Sequence, residues 1–595
     1  MADSTSRLEK VVEDASPNST PPVEDKMQGD EAEGSERTTV EETPSGSPAP
    51  KADDDDESRY PSGIQFWLVL LSLCLSVFLV ALDQTIIAPA LGAITTEYGS
   101  TKDIGWYGSS YMLTMTALQP MYGNIYRVFD IKWTFLGAVA LFELGSLVTA
   151  VAPSSTVFIV GRSIAGLGTA GIFSGSMVIL SYTMPLRKRP AMFGVFGGLW
   201  GISSIAGPLL GGAFTDQVTW RWCFYINLPI GGLAMAAIFF FLRIARDENP
   251  DGLSYMSRIL QLDLIGATIL IPDIVMLVLA LQWGGADYPW SDSKIIGLLV
   301  GAVVTALVFA GVEIWQQDKS LLPPQFFTKR NVLSAMMFAL FVGAYFFPIV
   351  YYLALYFQAV KGDTAIEAGI KLLPFLIAVV ISSIACGSLI TAFGYYNPVI
   401  LFETAILTVG AGLITTFWLD TSFSKWFGYQ VLAGLGTGVL FQAGIIVVQN
   451  VLPLELIPQA TACVQFFQSL GGAIFIALAQ TVFQNGLIKN MKRDAPDIDP
   501  IMILNSGASE IRDLLVKMGR EDSVDAVLGA YTLGLRNTFI MTAVAAGCVF
   551  LATLGFEWKR IQKPGAKKDD EAAPRVEGRE DTSGADTTQA QKSSA

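Results

Sequence analysis

Between residues 61 and 556 one apolar stretch follows another, each long enough to cross a bilayer and separated from the next by short polar breaks. A span takes roughly 20 apolar residues, and in hydrocarbon every backbone N–H and C=O must find its partner within the segment. That demand selects helices, so the chain is expected to be an all-α integral membrane protein. Spans are placed near 64–91, 104–123, 131–151, 156–180, 190–213, 222–243, 261–282, 294–315, 331–357, 366–391, 398–418, 424–449, 459–484 and 534–556. The count is fourteen, and an even count puts both tails on one side. Composition agrees: 15% of residues are charged, against about 25% in an ordinary soluble domain.

The formal charge of −14 is unevenly distributed. Residues 1–60 carry 6 Lys/Arg and 17 Asp/Glu, a net of −11, and residues 557–595 are balanced at 8 and 8. Both tails lack the apolar residues that would offset chain entropy, so 1–60 is expected to be a disordered acidic tail and 557–595 a second disordered tail. Short loops on the tail side hold Arg127, Lys132, Arg187, Lys188, Arg189, Arg243, Arg246, Arg258, Lys319, Lys329 and Arg330. The short loops opposite hold Lys102, Arg221, Lys294, Lys361 and Lys425. Positive charge stays inside, so both tails are expected in the cytosol. Within the long outer segment 485–533, Ile511, Leu514, Leu515 and Met518 recur at helical spacing and predict a short amphipathic helix.

The chain contains no histidine. That excludes His-based acid/base catalysis, Ser-His-Asp triads and His-ligated metals. The five cysteines are dispersed through apolar segments and offer neither a disulfide framework nor a metal site. No enzyme activity, metal or organic cofactor is expected, and the acidic balance speaks against nucleic acid as a partner.

The string AGLGT occurs at 165–169 and again at 433–437, in predicted spans 4 and 12. This places one six-span half at 61–243, a second at 321–556, and an inserted two-span linker at 244–320. Two related helical halves with a substrate site between them near the midplane are a common build for secondary transporters.

Ionisable groups within spans are costly and are functional candidates by default. Asp83 and Arg162 lie about 12 Å and about 9 Å below the outer ends of their spans, at 1.5 Å per residue, and can share a depth. A carboxylate balanced by an arginine can serve as a proton site, or the two can form a structural ion pair that locks two helices. Glu143 and Glu403 are weaker candidates, each able to bond a neighbouring helix. Asp263, Asp273 and Glu313 fall in the inserted pair and read as solvated or locally paired charges. Predicted span 5 is rich in glycine around Pro208, which suits either plain close packing or a bent helix sealing a moving path. Gln119, Tyr351, Gln358, Gln442 and Gln465 are the candidates for a cavity wall, because a glutamine facing lipid is expensive. Helix-to-helix hydrogen bonding is the alternative use of the same residues.

At these residues the chain resembles the major facilitator superfamily, and within it the fourteen-span drug:proton antiporters, above all fungal exporters of toxins and secondary metabolites. LDQTIIAPAL (82–91) is similar to the family's first-helix motif, which places its aspartate at Asp83. GRSIAGLGTAG (161–171) resembles the motif whose arginine, here Arg162, is associated with proton coupling. The antiporter motif reads Gly194, Ser203, Gly207, Pro208, Gly211 and Gly212, with only Ser203 departing from glycine. WRWCFYINLPIG (220–231), YFQAVKG (356–362) and FFQSLGG (466–472) also look like the fourteen-span group. One loop departs: in GNIYRVFDIKW (123–133), Arg127 holds the usual aspartate place, Asp130 that of the second glycine, and only Lys132 remains of the basic cluster. The family's charge-relay gate therefore does not carry over.

The resemblance implies a proton-coupled exporter of a small amphiphilic organic compound, acting by alternating access as a monomer in the plasma membrane. The proton gradient is the energy source. Uptake or vacuolar transport of basic amino acids or metal chelates is the alternative within transport, with the vacuolar membrane as its location. A non-transporting membrane sensor is the alternative from another class.

Overall fold

A computed structural model describes residues 63–99, 103–244, 254–285, 288–438, 440–505 and 511–561. The expectations for 1–60 and for the chain beyond 561 lie outside the described residues. Helices α1 (Gly63–Thr85) and α2 (Ile87–Tyr98) form one bent rod broken at Ile86. They are followed by α3 (Ile104–Val128), α4 (Ile131–Ala150), α5 (Ser155–Thr183), α6 (Arg189–Gln217), α7 (Trp222–Tyr225) and α8 (Asn227–Phe241). A short α9 (Tyr255–Ile259) leads to α10 (Leu264–Trp283) and α11 (Ser293–Gln316). The rest of the chain runs through α12 (Pro324–Thr328), α13 (Arg330–Ala359), α14 (Ala365–Phe393), α15 (Asn397–Ile414), α16 (Phe423–Leu435), α17 (Leu440–Val451) and α18 (Ile457–Asp494). It ends with α19 (Pro500–Asn505), α20 (Ile511–Lys517) and α21 (Val524–Thr553).

Local sequence sets several of these boundaries. Asp130 Oδ1 accepts from the Trp133 N–H at 2.7 Å and caps α4, so the residue that stands where the family has glycine starts a helix here. Thr364 and Glu367 form a reciprocal capping box at the start of α14. Gly394 ends that helix at φ +74°, a conformation that favours glycine.

Thirteen helical stretches among the described residues are long and apolar enough to cross a membrane. The helix at predicted span 2, α3, has the length, at 25 residues, but not the apolarity. Its Ser109, Thr116 and Gln119 face an internal cavity rather than lipid, which explains the difference. Opposite extremes appear elsewhere. In α11 only 17% of the apolar window is buried, whereas in α5 it is 83%. Helix α5 is thus enclosed by protein and α11 offers most of its surface to lipid.

The repeated string packs the same way twice. An added Cβ on Gly145 (α4) would meet the Ala165 backbone of α5 at 2.2 Å, and one on Gly410 (α15) would meet Ala433 of α16 at 2.6 Å. Gly168 is likewise pressed against Phe142, and Gly436 against Leu407. Close approach at these glycines seats α4 on α5 and α15 on α16. The symmetry stops at charge. Three residues before Ala165 stands Arg162, and three before Ala433 stands Gln430, fully buried with neither amide atom partnered.

One expectation is corrected at the edge. The predicted tail at 557–595 begins too early: Ile561 is 1% exposed and its N–H donates to the Gly394 carbonyl at 2.8 Å. Phe556 and Ile561 supply the buried apolar anchors that hold this stretch. Of the two alternatives for Asp263 and Glu313, solvated or locally paired, burial excludes the first and local hydrogen bonds fit the second. Asp263 accepts from the Gly266 N–H, Gln316 and the Leu321 N–H, and Glu313 accepts from the Leu322 N–H at 2.7 Å. In the segment between α18 and α21, α20 buries Ile511 and Leu515, while Met518 is exposed.

Candidate functional site

The helix directions define a tail end of the bundle, where α1 starts and α21 finishes, and a far end opposite. A cavity of about 340 Å³ lies between the two repeated halves, lined by α1 to α3, α5 and α6 on one side and by α13, α17 and α18 on the other. That volume is in the range of small-molecule sites, about 300–1,000 Å³. Val278, Leu281 and Gln282 of α10 complete the wall, so the first helix of the inserted pair is part of the cavity and not only a linker. The cavity extends from the level of Gln119 and Gln465 toward the far end, where Ile87, Gly108, Gln282 and Gln480 line it.

At the tail end the halves are shut against each other. An added Cβ on Gly123 of α3 would lie 2.7 Å from the Ala462 Cβ of α18. Gln459 donates to Asn124 and to the Ser320 carbonyl, and accepts from Arg127 at 3.2 Å. Arg127, in the place of the family's aspartate, therefore binds across to the other half. Arg189 of α6 reaches Gln449 of α17 at 3.3 Å, and Ser383 of α14 donates to the Gly194 carbonyl at 3.0 Å.

Asp83 and Arg162 form an ion pair at 2.5 Å, with 0% and 2% of their side chains exposed. Arg162 Nε also donates to the Tyr107 carbonyl at 3.1 Å, and its guanidinium lies 4.4 Å from the centre of the Tyr111 ring. The other carboxylate oxygen of Asp83 accepts from Asn227 Nδ2 at 3.1 Å, and the same nitrogen is 3.1 Å from Ser146 Oγ. A buried charge needs a counter-charge and hydrogen bonds, and this carboxylate has both. Arg162 and Tyr111 line the cavity while Asp83 sits behind them. Asn227 was missed from sequence, although it lies within the WRWCFYINLPIG string.

The antiporter-motif residues have two partners. Gly194 packs on Ser383 of α14, where an added Cβ would meet the carbonyl oxygen at 2.5 Å. Gly207 and Gly211 seat α6 on the α1–α2 break, against Thr85 and the Ile86 carbonyl. Thr85 donates to the Ser203 carbonyl at 3.0 Å, and Ser203 donates to the Phe78 carbonyl at 3.3 Å. Ser203 thus replaces glycine with an added hydrogen bond. Pro208 is exposed, and Gly212 has nothing within 4 Å of an added Cβ.

Of the five candidate cavity residues, Gln119 and Gln465 line the cavity and bond each other at 3.3 Å from opposite halves. Gln442 is buried between α17 and α6, beside Gly197. Gln358 is half-buried near the far end of α13, and Tyr351 is 59% exposed on its outer face. None of these three is among the lining residues. Trp200 of α6 and Phe441 of α17 are, stacked at an interplanar angle of 14° with centroids 6.2 Å apart.

Repeated helical halves around a closed-ended cavity, with a buried ion pair on its wall, define a secondary transporter. Residues 73–476 match the family model of the Major Facilitator Superfamily, and the chain belongs to that superfamily. It is a multi-pass integral membrane transporter and not an enzyme. The chain is 43% identical over 511 residues to "MFS-type efflux pump MFS1" of Trichophyton rubrum, covering 86% of this chain and 95% of that protein. It is 41% identical to "Efflux pump aflT" of Aspergillus parasiticus (85% and 98% covered) and 40% identical to "Rubrofusarin-specific efflux pump aurT" of Gibberella zeae (85% and 92% covered). Among solved structures, the human organic anion transporter MFSD10 shares the fold at TM-score 0.51 and 14% identity, covering 82% of this chain and all of that one.

Proposed function

We propose that the protein exports a small amphiphilic organic compound, a secondary metabolite or toxin, by alternating access driven by protons. Relatives named as efflux pumps, matched over nearly their whole length, support export. The observation that carries proton coupling is the buried Asp83–Arg162 pair, one partner of which lies on the cavity wall. Protonating Asp83 removes its charge from Arg162 and changes the bonding between α1, α5 and α8. That gives the proton different affinities for the two access states, which is all that linkage requires. The described state, shut at the tail end, is the one that releases substrate at the far end. This reading takes both tails as cytosolic, in line with the basic residues of the tail-side loops, and the membrane as the plasma membrane. Uptake of basic amino acids is the poorer reading, because no carboxylate is among the described residues that line the cavity.

Asp83→Asn tests the coupling. In proteoliposomes the variant should still bind substrate and equilibrate it downhill, with gradient-driven accumulation lost. Accumulation at the wild-type level under a pH gradient would remove Asp83 from the coupling step.

A further inference from the structure

Resting on the export reading, we infer that the cavity selects flat, acceptor-rich aromatic compounds that are neutral or anionic, and rejects organic cations.

The first argument is charge. Among the described residues that line the cavity there is no Asp, Glu or Lys, and Arg162 is the sole ionisable group other than Tyr111. An organic cation entering this wall gives up hydration and meets no carboxylate on it, while an anion or a polarised carbonyl meets the guanidinium of Arg162, whose charge is unbalanced once Asp83 is protonated.

The second is the direction of the free hydrogen bonds. Trp200 Nε1, Gln465 Nε2 and Gln468 Nε2 are buried on the wall with no partner. Gln465 Oε1 already accepts from Ser174 at 2.8 Å and from Gln119 at 3.3 Å, so its amide N–H groups are what remains. The other unpartnered atoms on the wall are the Gln84 amide nitrogen and the Ser109 hydroxyl; none is a carbonyl or carboxylate oxygen. An unpartnered buried donor costs about 1–3 kcal/mol, which a ligand oxygen recovers and a ligand N–H does not. Carbonyl, quinone and phenolate oxygens fit this wall.

The third is shape. Trp200 and Phe441 present parallel faces, with Phe173 edge-on behind the first and Phe346 edge-on behind the second. Offset stacking rewards a planar ring. Trp200 joins the two features, because its indole supplies both a face and a fixed donor that no rotation can turn into an acceptor.

The full chain in proteoliposomes is tested with three probes: a hydroxyanthraquinone, anthracene as the ring without oxygens, and tetraphenylphosphonium as a lipophilic cation. The quinone should bind and accumulate under a pH gradient, and the cation should do neither. Trp200→Phe leaves a smaller aromatic face and removes the N–H, so both probes lose some stacking, and quinone affinity should fall about five- to tenfold more than anthracene affinity, the value of one hydrogen bond. Equal losses for quinone and anthracene would overturn the donor assignment. Accumulation of the cation in preference to the quinone would overturn the inference and leave export standing. Failure of every probe to bind or move would overturn both.

Discussion

Asn227 Nδ2 lies 3.1 Å from Asp83 Oδ1, on the carboxylate oxygen that Arg162 does not hold. It comes from α8 and bonds Ser146 of α4 as well, so one amide ties three helices to the ion pair. Asn227→Ala leaves a buried carboxylate oxygen without its donor, a cost of about 1–3 kcal/mol. Asn227 is not on the cavity wall. The expected result is a fall in the maximal rate of gradient-driven export of about tenfold, the kinetic value of about 1.4 kcal/mol, with substrate affinity changed less than about twofold. A steady-state rate series in proteoliposomes separates the two parameters.

Gly207 and Gly212 make a matched pair. A Cβ on Gly207 would fall 2.1 Å from Thr85 Oγ1, and a Cβ on Gly212 meets nothing within 4 Å. Gly207→Ala should push α6 off the α1–α2 break at a cost of about 1–3 kcal/mol and open a substrate-independent proton leak. Gly212→Ala should behave as wild type. A pH-sensitive dye inside proteoliposomes reads the leak directly.

The tail-end closure can be loosened at Gln459. This side chain bonds Asn124, Ser320 and Arg127 together, and Cys463 lies one turn further along α18 at 1% exposure. Gln459→Ala should raise the labelling rate of Cys463 by a membrane-impermeant maleimide supplied at the tail end. An unlocking worth about 1 kcal/mol is about a fivefold rise in the open population. An unchanged rate would show that other contacts hold the closure.

At the far end, Arg221 and Trp220 both donate to Glu97, at 3.0 and 2.7 Å. The hydrogen bond from Arg221, with help from Trp220, holds the Glu97 carboxyl below its ordinary value of 4.5. A lowered carboxyl pKa stabilises the fold above the unfolded value, and the benefit disappears as pH falls through the folded value. Both partners are partly exposed, so the pair is worth at most about 1 kcal/mol. The melting temperature of Glu97→Gln should lie slightly below wild type at neutral pH, and the difference should close as pH falls below the ordinary carboxyl value of 4.5.

The architecture was legible because a bilayer permits so few backbones. Asp83 and Arg162 were each a lone charge in an apolar run, and depth arithmetic put them at one level. Asn227 was not legible, since an asparagine at a helix start reads as an ordinary boundary residue. The glutamines were ambiguous because a cavity wall and a helix interface both accept an amide: Gln119 and Gln465 stand on the wall, while Gln442 stands in an interface. Tyr351 shows the same limit for aromatics, which suit an internal cavity and a lipid boundary equally well. That α10 would supply part of the wall depends on which groove it packs into, and hydropathy carries no information on that.

The equivalence of Arg162 and Gln430 in the repeat has an electrical consequence. One half buries an ion pair, and its twin buries a neutral amide at the same place. A charge carried across the whole bilayer feels about 2.3 kcal/mol per 100 mV. Where the proton sits on Asp83, membrane voltage pulls on the first half at this position and leaves the second untouched. With a proton on Asp83, the two halves, though packed alike, would respond differently to an applied field at this position.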